Sequence, residues 1–165
     1  MNLKTIGFNI RPNSPNLRGY YIENAQKLQE LGIKTLLSHF SADIISLKGI
    51  PEKELFKRSD LLVSIGGDGT LISLARRSLE FEKPILGVNL GRLGFLTDIQ
   101  SHMLLDRIKE IMGGNYKLAK RMALEVCIEG KNKTCYAIND VAIKDKANKM
   151  MQVKLFIDDF LVNTY

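Results

Sequence analysis

The sequence has few cysteines and no long hydrophobic run. These two features exclude several classes of protein. Its two cysteines, Cys127 and Cys135, are too few for a disulfide scaffold, and neither has a histidine near it in sequence, which argues against a zinc ribbon. No apolar run approaches the roughly 20 residues that a membrane-spanning helix needs, and the first residues lead into a strand-like run rather than a signal peptide. We therefore expect a globular cytoplasmic protein that does not bind a membrane.

The chain also lacks a basic arm, although its formal net charge is +6. Residues 1–100 and residues 101–165 each hold three more Lys and Arg than Asp and Glu, so the excess is spread along the chain. Nucleic-acid-binding domains concentrate such charge on one face or in one segment. The pattern predicts no nucleic-acid partner and favours small phosphate-bearing molecules.

What the chain does have, through residue 118, is an alternation of short apolar runs with helical apolar patterns. Strands are predicted at residues 3–9, 33–37, 43–47, 61–65 and 85–90, and residues 51–58 are expected to form a surface helix or loop. Helices are predicted from Ser14, as N-cap, to Leu31, after the glycine turn at residues 66–70, and at residues 104–112. Alternating strands and helices predict an α/β fold, with a Rossmann-like parallel sheet flanked by helices.

One stretch, LLVSIGGDGTLISL at residues 61–74, reads as strand, tight glycine turn and helix. Glycines let backbone N–H groups approach an anion, and the following helix points its positive end at the same place. Asp68 within that turn would repel a phosphate, so we expect it to hold a cation or to face a hydroxyl that attacks phosphate. As a plainer alternative, Asp68 forms the turn by bonding its own backbone.

A second glycine-rich segment, residues 91–98, follows the next predicted strand. In a parallel sheet, ligands bind outside the carboxyl ends of the strands, so both glycine segments are expected on the same edge. Arg92 in this segment either binds phosphate or is simply solvated.

After residue 118 the pattern changes to extended runs at residues 122–128, 135–143 and 152–162. Turns are predicted at residues 129–132 and 147–149, and a hairpin is predicted to turn at Asp158 and Asp159. We therefore divide the chain into an α/β domain, residues 1–118, and the first strands of a mainly β domain, residues 119–165. Three or four strands cannot close a barrel or a sandwich, so we expect the second domain to be incomplete or covered by a partner.

Three motifs in order, GGDGT at residues 66–70, NLGRLGFLTD at residues 89–98 and AIND at residues 137–140, resemble the bacterial NAD kinases. The resemblance covers nearly the whole chain, and the second motif is its most specific part. It implies an N-terminal α/β domain, a C-terminal all-β domain that forms much of the NAD site, and a dimer or tetramer. It also implies phosphoryl transfer, with Mg²⁺, from ATP or polyphosphate to the 2′-hydroxyl of the adenosine ribose of NAD.

By position, the resemblance implies that Asp68 is catalytic and faces the ribose hydroxyl. Asp140 stands where the family usually has Glu, which keeps the charge but shortens the reach. No protein residue is implied as a metal ligand. The residues implied to bind nucleotide are Gly66, Gly67, Gly69, Thr70, Ile72, Phe95, Asn139 and Asp140.

Two other functions remain open at this point. A lipid or sugar kinase would share the glycine turn, although the lipid kinases do not show the NLGRLGF segment in this form. A non-catalytic nucleotide-binding fragment is also compatible, because a further glycine-acid turn and a Thr-Pro-Thr-Gly-Ser-Thr-Ala-Tyr segment of the family are absent from this sequence.

Overall fold

The structure, a computed structural model, describes residues 2–91, 94–144 and 150–165. Two 3-10 turns, Leu79–Phe81 and Ser101–Met103, adjoin the helices. In chain order the strands and helices are β1 (Thr5–Ile10), α1 (Leu17–Glu30), β2 (Lys34–Leu37), α2 (His39–Ile44), α3 (Glu52–Arg58), β3 (Leu61–Gly66), α4 (Asp68–Ser78), β4 (Ile85–Asn89), β5 (Ile99–Gln100), α5 (Leu104–Met112), β6 (Ala123–Ile128), β7 (Lys131–Ile138), β8 (Lys154–Ile157) and β9 (Phe160–Thr164).

The first five strands form one parallel sheet in the order β2-β1-β3-β4-β5. The predicted α/β fold with a Rossmann-like parallel sheet is therefore confirmed. Gly66, the last residue of β3, is the register partner of Asn89, the last residue of β4. The two glycine segments thus leave the sheet side by side at its carboxyl edge, as the sequence predicted.

Helices cover both faces of this sheet because its central strands are apolar on both sides. Val63 and Ile65 of β3 face a cluster that includes α1 and α5, whereas Leu62 packs with α3 and α4. Leu74 of α4 is fully buried in that second cluster, and this contact fixes α4 against the sheet. The start of α4 is thereby placed next to the carboxyl end of β3.

One predicted strand is wrong. Residues 43–47 were expected to be extended, but α2 runs through Ile44 and ends in a turn. The hydroxyl of Ser38 accepts the backbone N–H of Ser41 at 3.2 Å and caps this helix, and that local hydrogen bond outweighs the short apolar pattern. A smaller correction concerns α1, which begins at Leu17 with Asn16 as its N-cap rather than at Pro15.

Residues 117–165 contain two antiparallel hairpins, β6-β7 and β8-β9. The predicted turn at Asp158 and Asp159 is confirmed, and both residues have the positive φ of a tight hairpin turn. The predicted strand at residues 135–143 is displaced: β7 begins earlier, at Lys131, and ends at Ile138, because Asn139 leaves the extended region with φ 96°. The turn predicted at residues 147–149 lies outside the described residues.

Side chains of β8 and β9 are exposed throughout. Both cysteines are free thiols in the β6-β7 hairpin. Among the described residues, no helix is both long and apolar enough to cross a bilayer.

Candidate functional site

The glycine turn between β3 and α4 is tight because Thr70 folds back over it. A Cβ atom added to Gly66 would lie 2.3 Å from the Thr70 hydroxyl oxygen, so this position requires glycine. Gly67 and Gly69, by contrast, have open space where a Cβ would be. Of the three glycines in the motif, Gly66 is the one that packing demands.

Helix α4 begins at Asp68 with Gly67 as N-cap, and its N-terminus has no side-chain cap. The Gly67 carbonyl accepts the N–H groups of Thr70 and Leu71, at 3.0 and 3.1 Å. The N–H groups that precede them at a helix start point along the axis and attract anions. Arg76 and Arg77 lie in the last turn, where their charge complements the helix dipole.

The Asp68 carboxylate does not cap its own helix but reaches across to the second glycine segment. Its Oδ2 atom accepts the backbone N–H of Phe95 at 2.9 Å, and its Oδ1 atom accepts those of Leu96 and Thr97 at 3.1 and 3.0 Å. Three consecutive N–H groups converge on one carboxylate. This arrangement joins the two motifs, which lie almost 30 residues apart in sequence, into one structure.

These contacts lower the pKa of Asp68. Partial desolvation acts to raise it, but the N–H groups of Phe95, Leu96 and Thr97, with the Thr97 side chain, outweigh that effect and bring the pKa below its ordinary value of 3.8. The groups that lower it belong to the second glycine segment, not to the first turn of α4. Asp68 is therefore ionised at neutral pH.

The Thr97 hydroxyl oxygen organises the loop from inside. It accepts the side-chain amide N–H of Asn89 at 3.0 Å and the backbone N–H of Gly94 at 3.3 Å. The side-chain oxygen of Asn89 accepts the Gly91 N–H at 2.8 Å. Asp98 completes the anchoring, because its carboxylate accepts the Gly87 N–H at 2.7 Å. Both ends of the described loop are thus tied to β4.

A cleft of about 590 Å³ opens beside one face of α4. It lies between the α/β sheet and the β6-β7 hairpin, and its size is in the range of small-molecule sites. Its walls include Leu71, Ile72, Leu96, Asp98, Ile138 and Asn139.

A second cleft, of about 800 Å³, lies beside another face of α4. Gly69, Thr70, Ser73 and Arg77 of α4 form one wall, and the end of β1 and the start of α2 form another. Arg77 spans this wall: it donates to the Asn9 side chain at 2.9 Å and is ion-paired with Glu52. Helix α4, which begins at Asp68, therefore separates two clefts.

The structure brings some of the predicted site residues together and not others. Ile72 and Asn139 line the first cleft, and Gly69 and Thr70 line the second. Phe95 has a fully exposed side chain, at 100%, and enters the site through its backbone N–H alone. Asp140 is exposed and accepts the Asn139 side-chain N–H at 3.2 Å. Arg92 lies outside the described residues.

Sequence reasoning missed Gly94 and Thr97 as individual site residues. Both stand inside the quoted NLGRLGFLTD motif, but no local pattern marks which of its residues touch Asp68. A Cβ atom added to Gly94 would lie 2.3 Å from the Asp68 Oδ1 atom. That contact depends on how two distant loops meet, which spacing along the chain does not reveal.

Comparison with known proteins gives the site its context. The model of the ATP-NAD kinase N-terminal domain matches residues 23–116. The NAD kinase of Wolinella succinogenes is 36% identical over 167 residues, which cover 99% of this chain and 58% of that protein. The NAD kinase of Helicobacter hepaticus is 34% identical, over 97% of this chain and 52% of that protein. The chain thus spans a little over half the length of these relatives.

Solved structures share the fold. The yeast NADH kinase complexed with NADH superposes with a TM-score of 0.77 at 22% identity, covering 99% of this chain and 55% of the yeast chain. An NAD kinase from Archaeoglobus fulgidus in complex with ATP gives 0.69 at 23% identity, covering 97% of this chain and 56% of that one. Since the domain model matches more than half of the residues, this chain belongs to the NAD kinase family.

Proposed function

We propose that this chain provides the α/β domain and part of the acceptor site of an NAD kinase, which transfers the terminal phosphoryl group of ATP to the 2′-hydroxyl of the adenosine ribose of NAD. The observation that carries the proposal is the position of Asp68. Its ionised carboxylate lies at the first residue of α4, the helix that borders both clefts, in a chain of the NAD kinase family. The family resemblance also allows polyphosphate, in place of ATP, as the phosphoryl donor.

The cleft lined by Ile72 and Asn139 is the proposed acceptor site. Ile72 offers an apolar wall for the adenosine, and the side-chain amide of Asn139 can both donate and accept hydrogen bonds at the cleft rim. Asp140 holds the Asn139 amide and so orients it. Phe95 is assigned to the same pocket as a residue that turns inward when nucleotide binds.

The donor phosphates are placed at the N-terminus of α4, where the turn formed by Gly66, Gly67 and Gly69 exposes backbone N–H groups. The second cleft, beside Thr70, has room for the rest of the donor nucleotide. Mg²⁺ is proposed to enter bound to the phosphates of ATP, as Mg²⁺ commonly does at phosphoryl-transfer sites.

Asp68 is the proposed catalytic residue, and its role is to orient the ribose hydroxyl and to accept its proton late in the reaction. Phosphoryl transfer needs positioning and charge neutralisation more than a strong base, which suits a carboxylate of low pKa. A carboxylate has about four acceptor positions, and three are filled by loop N–H groups. The Phe95 N–H, at the exposed end of this set, is the donor that the ribose hydroxyl would replace.

Three further assignments accompany this function as proposals. The chain divides near residue 118 into the α/β domain and the start of a β domain. The protein works in the cytoplasm, and it assembles as a dimer or tetramer.

The test is an acceptor comparison with the full-length protein. Mg-ATP labelled at its terminal phosphate is incubated separately with NAD, NADH, sphingosine and diacylglycerol. Label transferred to NAD, at the ribose 2′ position, supports the proposal, whereas label only in a lipid would support the lipid kinase alternative, which family membership does not favour. If this chain alone binds NAD or ATP without making NADP while the full-length protein makes it, the chain is a half-site.

A further inference from the structure

We propose that Gly94 and Thr97 are positioning residues that hold the Asp68 carboxylate in its reactive place, Gly94 by its missing side chain and Thr97 by its hydroxyl. The inference rests on the proposed function, because it assigns Asp68 a catalytic role. Neither residue touches the reacting atoms. Each acts through Asp68.

Gly94 acts through its lack of a side chain. A Cβ atom on Gly94 would lie 2.3 Å from Oδ1, 2.6 Å from Cγ and 2.6 Å from Oδ2 of Asp68. All three distances are well below van der Waals contact, and all three atoms belong to the end of one side chain. The Asp68 carboxylate is thus the group that must move if residue 94 gains a methyl group, while no backbone atom is among these closest contacts.

Thr97 acts through its hydrogen bonds. Its backbone N–H donates to Asp68 Oδ1 at 3.0 Å, and its hydroxyl contributes to the low pKa of the same carboxylate. As an acceptor, the hydroxyl takes N–H groups from Asn89 and Gly94. Through these two hydrogen bonds the hydroxyl holds the loop that carries the three N–H groups bound to Asp68. Thr97 therefore connects the end of β4, the loop and the carboxylate.

Charged side chains do not substitute for these contacts in the described part of the chain. Among the described residues, desolvation and hydrogen bonds from Phe95, Leu96 and Thr97 are what shift the pKa of Asp68. The other carboxylate of the loop, Asp98, is bound to the Gly87 N–H. Within the described residues, the backbone N–H groups of the loop therefore hold the Asp68 carboxylate and lower its pKa.

The first test uses this chain and needs no activity. Thr97→Val keeps the branched shape and removes the hydroxyl, and Thr97→Ser is the matched control that keeps it. The Asp68 carboxyl carbon is followed by NMR as the pH is lowered. We expect the pKa of Asp68 to rise in Thr97→Val and to stay near the wild-type value in Thr97→Ser. An unchanged pKa in Thr97→Val overturns the hydroxyl part of the proposal.

The second test measures turnover of NAD by the full-length protein. Thr97→Val is expected to lower kcat about tenfold, the loss of one hydrogen bond to a charged group, with recovery in Thr97→Ser. Gly94→Ala is expected to lower kcat about 10²-fold, the effect of a misplacement near 1 Å, with little change in KM for NAD. In the Asp68→Asn background both substitutions should cost little more, because their effect passes through Asp68.

Circular dichroism and thermal melting of each variant separate misplacement from misfolding. A folded Gly94→Ala protein with wild-type kcat overturns the steric part of the proposal. The steric part is also overturned if Gly94→Ala lowers kcat by the same factor in the Asp68→Asn background as in the wild-type background. Suppose that the wild-type protein makes no NADP, but the pKa of Asp68 measured by NMR rises in Thr97→Val and not in Thr97→Ser. The proposed function is then wrong, while the role of Thr97 in positioning Asp68 is supported.

Discussion

The Oδ1 atom of Asp68 accepts the backbone N–H of Thr97 at 3.0 Å, across a sequence separation of 29 residues. This hydrogen bond joins the turn after β3 to the loop after β4. The last residues of these two strands, Gly66 and Asn89, are partners in the sheet. Because β3 and β4 are adjacent, the carboxylate of Asp68 in the first motif lies within hydrogen-bond distance of N–H groups in the second motif. The two glycine segments therefore form one hydrogen-bonded structure rather than two.

The lowered pKa of Asp68 predicts a loss of loop order in acid. Because its pKa lies below the unfolded value of 3.8, the ionised carboxylate stabilises the loop above that pH, and the effect is lost as the pH falls through the folded value. We expect amide hydrogen exchange at Phe95, Leu96 and Thr97 to accelerate in that window. In Asp68→Asn the same three amides should exchange fast at every pH, and persistent protection there would contradict the contacts.

Glycine is required at position 66 but not at position 69. Gly66→Ala places a methyl group 2.3 Å from the Thr70 hydroxyl oxygen, so we expect destabilisation of about 1–3 kcal/mol in urea unfolding. Gly69→Ala is the matched control, since it lies in α4 with nothing within 4 Å. It should leave stability unchanged or raise it by up to about 1 kcal/mol. Equal losses in both variants would contradict the packing described for the turn.

Leu74 anchors α4 to the sheet. The side chain is fully buried with Leu62, so Leu74→Ala should cost about 2–5 kcal/mol of unfolding free energy through lost burial and the cavity left behind. The exposed Arg76, two residues along the same helix, is the control, and its replacement by Ala should change stability by less than about 0.5 kcal/mol. Thermal or urea unfolding of the two variants measures the difference.

Asn139 and Asp140 are expected to differ in their effect on NAD binding. Asn139 lines the cleft beside Ile72, whereas Asp140 lies outside the lining and holds the Asn139 amide. In the full-length protein, Asn139→Ala should raise KM for NAD about tenfold, the loss of a direct hydrogen bond, and Asp140→Ala should raise it less. A larger effect at Asp140 would mean that Asp140 contacts the ligand itself.

Local signals in the sequence were enough to predict the parallel sheet, the glycine turn and α4. Gly66, Gly67 and Gly69 stand between a strand-length apolar run and a helical pattern, so the turn is encoded within 14 residues. Residues 43–47 were mispredicted because a short apolar run suits either a strand or a helix, and the cap from Ser38 decided the outcome.

The interior of the site could not be predicted in the same way. Asp68 stands out in the sequence as a carboxylate within a glycine turn, but its partners are backbone N–H groups, which no residue type reveals. The resemblance implied that Phe95 binds nucleotide; in the structure its side chain is exposed and its backbone N–H donates to Asp68. The roles of Gly94 and Thr97 depend on how closely two loops approach, and that distance is set by the sheet.

The proposed role of Asp68, orienting and deprotonating the ribose hydroxyl of NAD, is tested by measuring NADP formation by full-length wild-type and Asp68→Asn proteins with Mg-ATP. We predict that Asp68→Asn lowers kcat by about 10² to 10⁴ while NAD still binds and the melting curve still shows a folded protein. A kcat equal to that of the wild type would contradict the account.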